Sequence, residues 1–314
     1  MRSNPTPEKV RPDDDGIRLD RWLREQLPQL PYGLIQRLIR TGQIRVDGHR
    51  ARAHLRLAAG QMVRIPPVHG QVRKGPAQAS AGPHVASLAD RILYKDDHFI
   101  AFDKPAGLAV QGGSGIARHL DGMLDALRFG ADERPRLVHR LDRDTTGVLL
   151  LARSRKAAQH CAQLFREGRA SKVYWALVVG APSPRTGKIA GHLRKITAGG
   201  ERRMIGSLAG RTATTHYSTR GFSDGTAWLE LRPVTGRTHQ LRVHCAMIGC
   251  PIHGDSKYGG ARAEAGSHLQ LHARELTVPD MEGFTLRIEA PLPETMRSRF
   301  VQFGFRDPDE ADTW

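Results

Sequence analysis

The stretch His139-Arg140-Leu141-Asp142-Arg143-Asp144-Thr145-Thr146-Gly147 runs directly into the apolar segment Val148-Leu149-Leu150-Leu151-Ala152. Five consecutive aliphatic residues without a polar alternate predict a strand buried on both faces. The charged residues before it then form a loop that this rigid element aims. A carboxylate between two arginines at the mouth of such a strand is kept ionised by neighbouring charge and fixed in direction, as a nucleophile or general base requires. Arg beside Asp is more often a structural ion pair, so this loop alone does not decide the chemistry.

Outward from this loop the sequence predicts strands mixed with helices. Ile92 to Tyr94 and Phe99 to Phe102 flank a turn at Asp96-Asp97. A helix from about Lys156 to Glu167 carries Ala158, Cys161, Ala162 and Phe165 and stops at Gly168. Val173, Trp175, Leu177 and Val179 alternate, which puts Tyr174 on the other face of their strand. Further strands are expected over residues 214–219, 227–231 and 285–288. No strand-helix unit repeats, so the fold class is α+β with a mixed, largely antiparallel sheet.

Nearer the N-terminus, Leu19, Trp22, Leu23 and Leu27 share a helical face, with Arg21 and Arg24 off it. Leu34, Ile35, Leu38 and Ile39 mark a second helix that leaves Arg37 and Arg40 outward and stops at Gly42. Ile44 and Val46 precede Asp47-Gly48, a strong hairpin signal, and Val63 and Ile65 close a small α/β unit before Pro66-Pro67. The expected organisation is a disordered tail (1–15), this module (16–67), a Gly/Ala/Pro/Gln/Ser-rich linker (68–86), the main domain (87–305) and an acidic tail (306–314).

The 314 residues suffice for roughly two domains. Lys and Arg number 48 against 32 Asp and Glu, a net charge of +16, which favours a polyanionic partner. Of the two such partners, an anionic membrane is disfavoured, because no run of about 18 apolar residues and no targeting segment is present. A cytoplasmic monomer without a membrane partner is expected. Cys161, Cys245 and Cys250 form no disulfide framework in a chain this long. His244, Cys245, Cys250 and His253 offer zinc-type ligands, but their spacing matches no usual pattern; a short helix before Pro251 is expected instead. Residues 192–211 hold Arg194, Lys195, Arg202, Arg203 and Arg211 around Gly199-Gly200, which reads as a basic hairpin loop gripping the phosphates of a nucleic acid or as a solvated loop.

The order His-Arg-Leu-Asp, two residues, a hydroxyl pair and glycine resembles the signature of the RluA branch of pseudouridine synthases. Lys104-Pro105-Ala106-Gly107-Leu108, Lys172-Val173-Tyr174-Trp175-Ala176-Leu177-Val178-Val179-Gly180, a weaker block at Ala213, Thr215 and Tyr217, and Thr235-Gly236-Arg237-Thr238-His239-Gln240-Leu241-Arg242-Val243-His244 resemble its other blocks in order. Arg18-Leu19-Asp20 and Gly42-Gln43-Ile44-Arg45-Val46-Asp47-Gly48 resemble the S4 RNA-binding domain. Thr146 stands where serine is more usual, and Gln111, where histidine is frequent, receives no role.

The resemblance implies a pseudouridine synthase fold and an isomerisation of uridine that needs no cofactor or metal. Asp142 would be the nucleophile, attacking ribose or base. Tyr174 would stack on the uracil and help remove the C5 proton, Arg242 would pair with Asp142, and Arg140 would fill the space left by the flipped nucleotide. Arg21, Arg24, Arg37, Arg40, Arg194, Lys195, Arg202 and Arg203 would contact RNA. Val63-Arg64-Ile65-Pro66-Pro67-Val68 and Gly112-Gly113-Ser114-Gly115, with the S4 module, are most similar to members acting on large-subunit ribosomal RNA. That implies uridines of 23S ribosomal RNA, precursor or naked, with other ribosomal or transfer RNA as the alternative. A non-catalytic ribosome-assembly factor is disfavoured by the intact Asp142, Tyr174 and Arg242. An N-glycosidase lacks its second carboxylate, since Asp144 is poorly placed.

Overall fold

The apolar spacings near the N-terminus become two short helices, α1 (Leu19–Gln26) and α2 (Tyr32–Arg40). The structure, a computed structural model, describes residues 7–27, 30, 32–67, 88–113, 116, 118–198, 201–260 and 267–306. The chain divides into two compact units, residues 1–85 and 86–314.

In the first unit Leu19, Trp22 and Leu23 of α1 meet Ile35, Leu38 and Ile39 of α2 in one core. Its sheet has the order β1 (Pro7–Lys9), β4 (Met62–Arg64), β2 (Arg45–Val46), β3 (His49–Arg50). Asp47 and Gly48, with φ 48° and 77°, make the tight β2–β3 turn. The expected disordered tail is corrected over residues 7–15. There β1 pairs antiparallel with β4, Val10 is buried in the core, and Asp14 accepts a hydrogen bond from the Trp22 indole at 3.2 Å. Pairing satisfies an edge of β4 that would otherwise be open. Residues 1–6, the linker and the acidic end from 307 lie outside the described residues.

The second unit is an eleven-stranded sheet. Its strands are β5 (Ile92–Lys95), β6 (Phe99–Lys104), β7 (Arg136–Leu137), β8 (Thr146–Ala152), β9 (Ser171–Val179), β10 (Thr186–Ala198), β11 (Glu201–Gly206), β12 (Arg211–Ser223), β13 (Thr226–Pro233), β14 (Leu271–Pro279) and β15 (Thr285–Glu289). The main path runs β11-β10-β12-β13-β9-β14-β8-β6-β5, with β15 on β14 and β7 on β8. The β14–β8 pair is parallel and its neighbours are antiparallel, so the sheet is mixed and largely antiparallel, as expected. Gly147 lies in that parallel pair at φ 100°, where a Cβ would run into the backbone of Ala273. Only glycine combines that dihedral with so close an approach.

Among the described residues three α-helices flank the sheet. Ser154 caps α3 (Arg155–Glu167) by accepting from the Ala157 N–H, and Gly168 ends it in the left-handed region. Tyr174, Leu231 and Tyr217 stand opposite one another in register, on the face where α4 (Gln240–Met247) seats Leu241 and Cys245. On the other face Val173, Trp175 and Trp228 pack against Leu292, Met296 and Phe300 around α5 (Glu294–Gln302). Residues 192–211, expected to be a basic hairpin loop, do contain a hairpin, but 192–198 and 201–206 are paired antiparallel as parts of the strands β10 and β11 and are not irregular loop.

Candidate active site

The loop between β7 and β8 carries Asp142 to the edge of a cavity of about 650 Å³, a usual size for a small-molecule site. Arg140, Asp142, Tyr174 and Arg242, expected together from sequence, all border it, with Lys172 and His239 beside them. Asp142 is 17 % exposed at its side chain. Arg140 is exposed, while Tyr174 and Lys172 are half-buried two residues apart on one face of β9.

Three polar groups, Lys104 and Thr146 buried and His139 half-buried, fix the Asp142 loop. Lys104, fully buried at the end of β6, donates from Nζ to the carbonyls of Pro105 (2.8 Å), Leu108 (2.9 Å) and Arg143 (2.7 Å). It thereby ties the Lys104-to-Leu108 turn to the residue after Asp142. Burial pulls its pKa down to about 7, opposed by the charges of Asp144, Asp142 and Asp103. His139 accepts the Leu150 N–H at Nε2 (2.8 Å), and burial, helped by Lys172, drops its pKa to about 3, so it is neutral. Thr146 Oγ1 meets His272 Nδ1 at 2.9 Å. A threonine therefore supplies the same hydroxyl that the more usual serine would.

Neither flanking arginine is paired with Asp142. Arg143 bonds Asp144 at 3.2 Å, and Arg140 stands outward. The expected Arg242–Asp142 pair is also corrected. Arg242 turns both prongs of its guanidinium to Asp255, Nε to Oδ2 at 2.8 Å and Nη2 to Oδ1 at 2.6 Å. Asp255 is 0 % exposed and also accepts the N–H groups of Lys257 and Tyr258. A planar fork on a carboxylate is the best-satisfied arrangement for a buried arginine, and it outcompetes a partly exposed Asp142. Burial works to lower the Arg242 pKa, but Asp255, with a smaller push from Asp142, holds it above the ordinary value. Among the described residues, the cation within 4.0 Å of Asp142, when protonated, is His239 through Nε2.

The α4 end of the site is bolted by Gln240. Its Oε1 accepts from Thr235 Oγ1 (2.7 Å) and the Arg237 N–H (3.0 Å), and its Nε2 donates to the Thr214 carbonyl and to Thr215 Oγ1, both 3.0 Å. Thr215 also meets His244 Nδ1 at 3.0 Å. The weak sequence block at Ala213, Thr215 and Tyr217 is thus the seat of α4. His253 bonds Thr226 and the two nearby cysteines lie in the core; among the described residues no cluster of three metal-ligating side chains occurs.

Burial, with the charge of Asp142, raises the Tyr174 pKa, so its phenol keeps its proton. Burial lowers that of Lys172, whose Nζ lies 5.9 Å from the Phe165 ring centroid. Arg166, Arg211 and Arg237 continue the cationic border of the cavity. On the hairpin, Lys195 opposes Met204 and shares a face with Leu193 and Arg211, the cavity side; Arg194 and Arg203 fall on the opposite face. The Arg202 side chain and Gly199-Gly200 lie outside the described residues, as do Ser114 and Gly115. In the first unit Arg21, Arg24, Arg37 and Arg40 are exposed, with Arg21 at 3.5 Å from Glu25.

Sequence reasoning gave no role to Lys104, Gln240, His239, Tyr258 or Asp255. The first three stand inside quoted motifs, a signal available in principle. Asp255 follows its arginine partner by thirteen positions and carries no local signal.

Comparison with known proteins agrees with both units. Residues 98–247 match the family model for RNA pseudouridylate synthases, and residues 17–63 match the S4 domain. The chain is 40% identical over 298 residues to ribosomal large subunit pseudouridine synthase C of Escherichia coli (strain K12), covering 91% of this chain and 92% of that protein. It is 38% identical over 298 residues to the protein of that name from Vibrio vulnificus (strain CMCP6), covering 90% and 92%. Among solved structures, human RNA pseudouridylate synthase domain containing 4 superposes with a TM-score of 0.59 at 29% identity, covering 69% of this chain and 94% of that one. Likeness over nine-tenths of the chain, and a solved fold that superposes on more than two thirds of it, together place the protein: it belongs to the RNA pseudouridine synthase family and is an isomerase.

Proposed function

We propose that the chain converts uridines of large-subunit ribosomal RNA to pseudouridine in the cytoplasm, with Asp142 as the nucleophile. The observation that carries this reading is Asp142 itself, on a loop pinned by Lys104 and His139 at the edge of a cation-rimmed cavity. The ribosomal target is supported by the name shared by the relatives at 38–40% identity.

The reaction breaks the N1–C1′ bond, forms C5–C1′, removes the C5 proton and leaves N1 protonated, so the product is an isomer and no electrons leave the nucleotide. The uridine must first leave its stack at a cost of a few kcal/mol. Arg140, exposed at the rim, is placed to fill the gap. Tyr174 offers a ring face to the uracil. Its raised pKa keeps the hydroxyl protonated, a hydrogen-bond donor and not a ready base for the C5 proton. Arg242, locked on Asp255, supplies fixed positive potential near Asp142 as charge shifts in the reaction. The rim cations and the exposed arginines of the first unit would hold phosphates.

The test is to map pseudouridines in ribosomal RNA from cells lacking this protein and from cells complemented with it. Loss of specific 23S sites, restored on complementation, is expected. An unchanged large-subunit map with lost sites in another RNA would transfer the chemistry to that RNA.

A further inference from the structure

With the fork of Arg242 spent on Asp255, the ionisable ring that comes within 4.0 Å of Asp142 among the described residues is that of His239. His239 precedes α4 with φ 52° and ψ 20°, a left-handed conformation that an L residue rarely adopts, and it carries its ring into the cavity border. One ring nitrogen, Nδ1, lies 2.8 Å from Tyr258 Oη; the other, Nε2, lies 4.0 Å from Asp142 Oδ1. The two rings meet edge-on at 5.6 Å.

The proton positions follow from the partners. The Met204 N–H donates to Tyr258 Oη at 3.0 Å, which occupies an acceptor site of that oxygen. Burial raises the Tyr258 pKa, so the hydroxyl keeps its proton. Among the described residues the acceptor in reach of that O–H is His239 Nδ1. Burial lowers the His239 pKa, with Asp142 opposing and Arg242 and Lys257 assisting, so a neutral ring has one proton to place. If Nδ1 accepts, Nε2 carries it.

We propose that His239 is a positioning residue for Asp142: Tyr258 fixes its ring as the Nε2–H tautomer, which presents an N–H to Asp142 Oδ1 and leaves Oδ2 to meet the nucleotide. The 4.0 Å separation exceeds a hydrogen bond and closes when substrate fills the cavity, as such contacts commonly do. The Tyr258 oxygen is itself held by β11, so the strand that bears Arg203 also sets the ring that aims the carboxylate. This inference rests on Asp142 being the nucleophile.

The test combines imidazole 15N NMR of the full chain with single-turnover rates and RNA affinities for His239→Ala, His239→Gln, Tyr258→Phe and Asp142→Asn. The resonance lost in both His239 variants identifies the ring. In the wild type it should show a protonated Nε2 and a bare Nδ1, and in Tyr258→Phe a mixture of tautomers. His239→Ala should lose about a hundredfold in single-turnover rate, the scale of a misplaced reacting group, with RNA affinity unchanged. His239→Gln, whose amide N–H reaches the Nε2 position, should regain most of that loss. A wild-type ring protonated at Nδ1 would overturn the proposal. So would a fully active His239→Ala beside an inactive Asp142→Asn, and in that case the nucleophile assignment survives. Turnover by Asp142→Asn would overturn both.

Discussion

Around Asp142 the fixing groups are buried and multiply bonded: Lys104 donates three hydrogen bonds, Gln240 makes four, and Asp255 accepts four. On β10 and β11 the cations Arg194, Lys195 and Arg203 are exposed on two regular strands. Buried polar groups are costly to leave unpaired, so they specify one geometry, which chemistry at a single atom needs. Exposed cations have little to lose from rearrangement and suit a flexible polyanion read through its phosphates. Mutations in the two regions should therefore differ in magnitude, in pH response and in salt response.

The largest effect is expected at Asp255. Asp255→Ala strands the buried Arg242 cation and should cost about 3–5 kcal/mol, read by urea unfolding, and abolish turnover. A loss below about 1 kcal/mol would mean that the pair behaves like a surface one. Lys104→Met comes next. It keeps the side-chain length but deprives three carbonyls of their donor, for a loss of about 1–3 kcal/mol. Because the Arg143 carbonyl is one of the three, kcat should fall more than KM rises. An unchanged kcat would show that the Asp142 loop holds its shape without Lys104.

The comparison also bears on what the sequence made readable. Elements with dense apolar patterning were legible: α1 and α2, the Asp47-Gly48 hairpin, β8, α3 with its Gly168 stop, and the alternation that placed Tyr174 opposite Val173 and Trp175. β1 escaped because a single apolar residue, Val10, anchors a polar strand to the β4 edge. The hairpin strands read as a loop because beyond Leu193 few of their side chains are buried. In β14 the buried His272 interrupts the apolar pattern, and α5 shows only Met296 and Phe300 to the core. Asp142, Tyr174, Arg140 and Arg242, named from the family resemblance, border one cavity, but the partner of Arg242 was not foreseen. Which carboxylate takes a guanidinium fork depends on tertiary burial, and the sequence around Asp255 gives no sign that it is fully buried.

A pH comparison sharpens the contrast at intermediate size. The pKa of His139 falls from 6.5 to about 3 on folding. Between those values the unfolded chain binds the extra proton, so stability rises with pH through this window and is fully present above 6.5. The wild type should lose about 2–3 kcal/mol more than His139→Gln on going from about pH 6.5 to about pH 4, in urea unfolding at both pH values. Equal losses would show that His139 does not couple folding to protonation.

The smallest effects belong to the hairpin. Arg194→Lys and Arg203→Lys should leave rate and affinity nearly unchanged, because a phosphate accepts either cation. Lys195→Ala, on the cavity-side face, should lower the salt slope of RNA binding by about 1 and Arg194→Ala by less. Equal slopes for the two would mean that both hairpin faces meet RNA alike.

The central claim, that Asp142 is the nucleophile, is tested most directly by the single-turnover rate of Asp142→Asn on 23S ribosomal RNA, with circular dichroism and RNA affinity measured on the same preparation. The account predicts no detectable pseudouridine from a folded protein that binds RNA as the wild type does. Turnover at even a few per cent of the wild-type rate would contradict it.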